Sequence, residues 1–159
     1  MIVIRTEISG ASEVVERLQA VKPAMLGGIK TALEQWAEEL ASYIQKSKLS
    51  GNPIKAHTGA LRDSVNPMAE QDGDVIAAGA GAGAGLDYAK FLEYGTRPHE
   101  IVPKRARFLR FEVDGRIVYA KRVNHPGNPA FYYMRDSLQE QRPSGVEAIR
   151  MAVAEALTT

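Results

Sequence analysis

An apolar stripe in the first third of the chain constrains the fold more than any other sequence feature. Its members recur at steps of three and four residues, the period of one face of an α-helix: Ile29, Leu33, Trp36, Ala37, Leu40, Tyr43 and Ile44. A shorter apolar face precedes it, behind a cap residue at Ser12, and consists of Val14, Val15, Leu18 and Val21. Pro23 separates the two faces. The pattern therefore predicts a first helix that ends near Lys22 and a longer second helix.

Strand and turn signals dominate the middle of the chain. Residues 2–8 are rich in β-branched side chains and predict a short strand. Two Asp-Gly dipeptides, Asp72-Gly73 and Asp114-Gly115, are typical of type I′ hairpin turns. A two-residue turn at the second dipeptide would pair Val113 with Arg116, Phe111 with Val118 and Leu109 with Ala120. This register predicts one mostly apolar face that packs on helices.

A capping box at Ser144-Gly-Val-Glu147 predicts a C-terminal helix over residues 144–159. Combined with the other elements, it indicates an α+β fold with long N-terminal helices, antiparallel hairpins that form a small sheet, and a C-terminal helix. A length of 159 residues fits one domain. We expect a mainly helical half over residues 1–57, a β-rich part over 58–141 and the last helix.

Two segments lack a pattern that would place them in a core. Residues 47–57 include Gly51 and Pro53 and predict an exposed, mobile loop. Residues 77–85 have the sequence AAGAGAGAG, whose side chains are too small to supply a core, so this segment is also expected to be loose.

Composition excludes several classes of function. Twenty basic and 19 acidic residues leave a net charge of +1, so a charged partner must be met by a local patch. The absence of cysteine removes disulfides, thiolate catalysis and cysteine-ligated metals. The N-terminus lacks a signal-peptide pattern, and no run of about 18 apolar residues occurs, so we expect neither export by that route nor a membrane partner.

Catalytic and metal-binding constellations are incomplete. His99-Glu100 resembles the first half of a zinc-protease motif, but the position that needs the second histidine is Pro103. Glu93 and His99 could form an acid/base pair, yet no nucleophile, metal site or cofactor site accompanies them. We therefore expect no catalytic residue, no metal and no cofactor, and a hydrolase using this pair is the least favoured hypothesis.

Basic residues are concentrated in residues 103–122. Interleaved with aromatic side chains, they could hold phosphates and stack bases, so non-specific DNA contact is one hypothesis. A solvated strand edge that resists edge pairing is a stronger one, and an acidic partner protein would use the same patch. The candidate partner contacts here are Lys104, Arg105, Arg107, Arg110, Arg116 and Lys121.

Four motifs occur in a fixed order along the chain. The first is Thr58-Gly59-Ala60-Leu61, and the second is Tyr-Ala-x-Phe-Leu-Glu-aromatic-Gly-Thr over residues 88–96. The third is Pro-His-x-Ile-x-Pro-Lys over 98–104. The last combines Leu-x-Phe in the hairpin with His-Pro-Gly…Pro-x-aromatic-aromatic-x-Arg over 125–135. The residues that carry the first three are Thr58, Gly59, Leu61, Tyr88, Phe91, Leu92, Glu93, Gly95, Thr96, Pro98, His99 and Pro103.

This order and spacing resembles the tail-completion, or head-tail joining, family of long-tailed bacteriophages and prophages, over residues 58 to about 140. The resemblance implies a structural virion protein of the neck or tail end, made in the host cytoplasm, that forms a ring and meets the tail-terminator and head-connector proteins.

Packing accounts for the motifs themselves. Tyr88, Phe91 and Leu92 would form the apolar face of a helix that Gly95 ends in the left-handed conformation and that Pro98 prevents from continuing. The prolines after His125 form a stiff turn that brings Phe131 and Met134 to the core. His125 and Asn128 would then point outward as further candidate partner contacts.

Overall fold

A computed structural model describes residues 11–51, 54 and 58–158, so the strand predicted at 2–8 lies outside the described residues. The helices are α1 Ala11–Tyr43, followed by a π-helical turn Ile44–Lys48, then α2 Ala60–Asp63, α3 Ala89–Tyr94 and α4 Tyr133–Thr158. The strands are β1 Asn66–Asp72, β2 Val75–Gly81, β3 His99–Ile101, β4 Leu109–Val113, β5 Arg116–Ala120 and β6 Val123–His125. The predicted α+β class is confirmed. These strands form three antiparallel pairs, β1–β2, β3–β6 and β4–β5.

The predicted helix break at Pro23 is wrong, because α1 continues through this residue. Proline removes one backbone hydrogen bond from a helix, but Gln19, whose carbonyl loses its partner, is exposed and can be solvated. The apolar face assigned to the first helix is also not buried, since Val14 and Leu18 are 57% and 60% exposed.

The core lies where α1 packs against α4 on one side and against the β1–β2 hairpin on the other. Trp36 is at its centre, and its indole N–H donates to the Gln141 carbonyl of α4 at 3.0 Å. Gly145 allows this close approach, because a Cβ there would lie 2.8 Å from the indole ring.

The helix α4 begins at Tyr133 and passes through Pro143, so the predicted start at Ser144 is wrong. Ser144 instead donates its hydroxyl hydrogen to the Gln141 carbonyl.

The expectation of a loose glycine-alanine segment is wrong for residues 77–81, which belong to strand β2, whereas residues 82–85 leave the strand and form a turn. Ala78, Ala80 and Ala82 pack against the core cluster, and β2 pairs with β1 along its whole length. Small side chains let the strand lie close to α1, so they contribute to the core although they were expected not to.

The turn of the β1–β2 hairpin is Gly73-Asp74, one residue later than predicted, because Asp72 pairs with Val75.

Part of the segment 47–57, expected to be exposed, belongs to the core as well. Leu49 and Ile54 are both buried, and the Leu49 N–H donates to the Ile44 carbonyl at the end of the π-helical turn. The expectation of a wholly exposed loop is therefore wrong for these two residues.

The hairpin β4–β5 has the predicted register at every pair. Its turn residues, Asp114 and Gly115, both have positive φ, as a type I′ turn requires. The expectation that one face packs on helices is wrong, because neither strand has extensive contacts with a helix, although Leu109, Phe111 and Ala120 are half-buried. Within the described part of the chain, no helix is long and apolar enough to cross a membrane.

Candidate interaction site

The second and fourth sequence motifs meet in one place, here called the motif junction, residues 93–101 and 123–135. Thr96 and Asn128 form an antiparallel bridge, with the Thr96 N–H donating to the Asn128 carbonyl at 2.9 Å. The Asn128 N–H also donates to the Thr96 hydroxyl at 2.9 Å. In the same register, β3 pairs with β6. The junction is therefore the base of a two-stranded ribbon.

Glu93 joins this base to the body of the protein. It is only 6% exposed, and its two carboxylate oxygens accept the backbone N–H groups of Met134 at 2.9 Å and Arg135 at 3.1 Å. These donors lie in the first turn of α4, where helix N–H groups lack intrahelical partners and negative charge is favoured. The motif glutamate is thus a helix cap supplied from another element. Sequence reasoning missed this role because the partners lie 41 and 42 residues away.

Gly95 ends α3 as predicted, but with φ +72° and ψ −176° it is not in the left-handed helical conformation. Only glycine tolerates this combination of angles readily. A Cβ at this position would also lie 2.6 Å from the Asn128 carbonyl oxygen and 2.8 Å from the Ala130 nitrogen. Gly95 therefore both turns the chain and lets the two motif segments touch.

The two histidines of the junction lie side by side, with His99 exposed and His125 half-buried. His99 and His125 are directly opposed in the β3–β6 pair, and their rings stack with centroids 5.1 Å apart. His99 Nδ1 donates to the Arg97 carbonyl at 2.9 Å, and His125 Nδ1 accepts the Gly127 N–H at 3.1 Å. The His125 ring is thus part of the junction.

The aromatic side chains of the second motif lie on the surface. Phe91 is 46% exposed and Tyr94 is 74% exposed, while only Leu92 and Ala89 from this helix join the core cluster. Of the predicted apolar face of α3, Leu92 packs inward, whereas Tyr88 and Phe91 are exposed, so the prediction is wrong for these two aromatic residues. Beside it lies an open cleft of about 680 Å³, lined by Tyr88, Phe91, Leu92, Gly95, Thr96, Arg97, His99, Ile101, His125 and Asn128. We call it the aromatic cleft.

Tyr133, the first residue of α4, is buried beneath the junction with 2% of its surface exposed. Burial raises the pKa of Tyr133 to about 12, and the nearby charge of Glu93 acts in the same direction. Ionisation of this phenol therefore opposes folding.

The remaining motif and contact residues divide between the body and the ribbon. The Thr58 hydroxyl accepts the Ala60 N–H at 3.3 Å, and Leu61 is buried in the core. The hairpin β4–β5 forms the tip of the ribbon. Six candidate contacts are all exposed there or beside it: Lys104, Arg105, Arg107, Arg110, Arg116 and Lys121. None of the six forms an ion pair with another described side chain.

The hypothetical acid/base pair of Glu93 and His99 finds no support in this geometry. Both oxygens of Glu93 are occupied by backbone donors, and the His99 Nδ1 is bonded to the main chain. Among the described residues, no group of three or more histidine, cysteine, aspartate or glutamate side chains is placed to hold a metal ion. The arrangement is suited to holding two chain segments together.

A model of the HK97-gp10-like family, described as "Bacteriophage HK97-gp10, putative tail-component", matches residues 12–95. The match covers just over half of the chain, from the N-terminal part of α1 to the glycine that ends α3. No curated protein and no solved structure matches the chain.

Proposed function

Because the chain belongs to the HK97-gp10-like family of bacteriophage tail components, we propose that it is a structural protein of the virion neck or tail end. It completes the tail and helps join it to the head by contacts with other proteins, and it does so as a ring. Its neighbours are the tail-terminator and head-connector proteins. It has no enzymatic step of its own.

The observation that carries this proposal is the exposure of the motif aromatics on a rigid base. Tyr88, Phe91 and Tyr94 would be buried if the motif served only the core of this chain, yet all three are exposed. Exposed aromatic side chains next to a polar rim are typical of protein-binding surfaces. The aromatic cleft beside them is held by backbone hydrogen bonds at the junction, so it is preformed for a partner.

Genetic deletion followed by electron microscopy tests the proposal. We expect lysates of the deletion to contain separate heads and tails, and complementation by the wild-type chain to restore joined virions. The variant Phe91→Ala with Tyr94→Ala should fold and yet restore them poorly, whereas Glu70→Ala, on the exposed strand β1, should restore them fully. Joined virions in normal yield from the deletion would refute the function.

A nucleic-acid-binding module is the second candidate, and the unpaired basic side chains of residues 104–122 favour it. An exposed aromatic such as Tyr119 could stack on a base. Binding of duplex or single-stranded DNA, followed by fluorescence anisotropy, should then weaken steeply as salt increases. No binding at low salt would remove this candidate.

A further inference from the structure

The ribbon tip carries charge that its own chain does not neutralise. Residues 104–122, here called the basic arm, contain seven basic and two acidic side chains, a net +5 within a chain of net charge +1. The rest of the chain therefore carries a net −4. Of the seven basic residues only Arg122 forms an ion pair with another described side chain, Glu100 at 3.8 Å.

The arm also lacks the cover that a two-stranded hairpin needs. An isolated hairpin of five-residue strands is at best marginally stable in water, and its outer edges present unpaired backbone groups. Here Val113, Ile117 and Tyr119 are all exposed. A surface that joins positive charge to exposed apolar side chains fits an acidic protein surface better than a nucleic-acid backbone alone.

The same chain offers such a surface on the outer side of α1. Glu34, Glu38 and Glu39 are exposed, and none of them forms an ion pair with another described side chain. Glu34 and Glu38 are four residues apart, where like charges disfavour a helix slightly. An incoming cation would relieve that repulsion. These three residues are called the acidic face.

We infer that the basic arm of one copy docks on the acidic face of α1 in a second copy. This inference rests on the ring assembly proposed above and names the surfaces that form it. The two patches differ, so the contact is head-to-tail, and repetition of a head-to-tail contact produces a ring or an open helical array.

A charge-swap experiment on the full chain tests this contact. One variant reverses the arm (Arg107→Glu, Arg110→Glu, Arg116→Glu), and the other reverses the face (Glu34→Lys, Glu38→Lys, Glu39→Lys). Sedimentation analysis at low salt should show concentration-dependent assembly of the wild type. Self-association of each variant alone should be weaker by about tenfold or more, because like charges then meet at the contact.

An equimolar mixture of the two variants provides the decisive measurement. In the mixture each arm meets a face of opposite sign, so assembly should return to the wild-type level. Circular dichroism and urea unfolding of both variants check that they fold. A double charge reversal elsewhere, Arg142→Glu with Arg150→Glu on α4, should leave assembly unchanged.

Four results would overturn the inference: a monomeric wild type at high concentration and low salt, undiminished assembly of either variant alone, no recovery in the mixture, or equal loss from the α4 control. A monomer that binds duplex DNA through the arm would assign the arm to nucleic acid instead. The proposed function is judged separately by the deletion phenotype, which can hold even if this contact fails.

Discussion

Replacement of Glu93 by alanine should destabilise the whole protein, because this side chain caps α4 from another element. The substitution leaves the half-buried Met134 N–H without a partner, at a cost of about 1–3 kcal/mol. The Arg135 N–H is more accessible to water and contributes less. Loss of negative charge at the helix N-terminus adds about 0.3–2 kcal/mol. We therefore expect the free energy of unfolding to fall by about 1.5–5 kcal/mol in total.

Urea unfolding followed by tryptophan fluorescence is a suitable assay. Trp36 is the sole tryptophan of the chain, and its indole donates to a carbonyl of α4, so its emission reports separation of the two long helices. Glu93→Gln should fall between wild type and Glu93→Ala, since the amide keeps one acceptor but loses the charge. Glu112→Ala, which removes an exposed glutamate, should change stability by no more than about 0.5 kcal/mol.

Unfolding of Glu93→Ala at the same urea concentration as Glu112→Ala would contradict the capping role of Glu93. If Glu93→Gln is as stable as the wild type, the negative charge at the N-terminus of α4 does not contribute to stability. A stable Glu93→Ala protein that nevertheless lost its biological role would instead favour a direct part for this carboxylate in partner binding or chemistry.

Three further predictions test the packing. Because burial raises the pKa of Tyr133 to about 12 in the folded state, against about 10 in the unfolded state, the stability that this residue contributes should be intact below about pH 10. It should decline by about 3 kcal/mol as the pH rises through about 12. Urea titrations should show a smaller decline for Tyr133→Phe, and identical declines would contradict this. In Gly145→Ala the free energy of unfolding should fall by about 1–3 kcal/mol, because the new Cβ would lie 2.8 Å from the Trp36 indole ring. In Gly27→Ala, where the space around the residue is open, it should rise by up to about 1 kcal/mol. Thermal or urea unfolding should show a larger loss of stability for Leu92→Ala than for Phe91→Ala, since only Leu92 of the two packs against the core cluster. The reverse order would refute the assigned orientation of α3.

Elements whose signals are local were predictable from the sequence. The Asp114-Gly115 turn determines its own pairing, so the register of β4 and β5 follows from a dipeptide and the alternation beside it. The apolar stripe from Ile29 to Ile44 likewise identified the buried face of α1, because helical periodicity needs no knowledge of the partner layer.

Predictions failed where a distant contact overrides a local preference. Alanine is a poor core former by itself, yet α1 lies close enough to the β1–β2 hairpin to half-bury Ala78, Ala80 and Ala82. The capping box at Ser144 suggested a helix start, but α4 begins at Tyr133 and passes through Pro143 while packed on Trp36. Tertiary packing of this kind routinely outweighs intrinsic propensity, and a single sequence contains no local sign of it.

The motif aromatics show a further limit of periodicity. Spacing of i, i+3 and i+4 identifies residues on one side of a helix without saying whether that side meets a core or a partner. In α3 the side that packs inward carries Ala89 and Glu93, because the helix must approach the first turn of α4 closely enough for a carboxylate to reach its N–H groups. The larger residues are then directed outward.

Glu93 holds the ribbon in place, and the same orientation of α3 exposes the aromatic cleft. Substitutions at Glu93 should therefore affect the position of the ribbon before they affect the cleft residues. Hydrogen exchange can detect this: in Glu93→Gln the backbone amides of Thr96 and Asn128 should lose protection more than that of Leu40 in α1. Equal loss at all three amides would mean that the junction has no separate opening and that ribbon and body unfold as one unit.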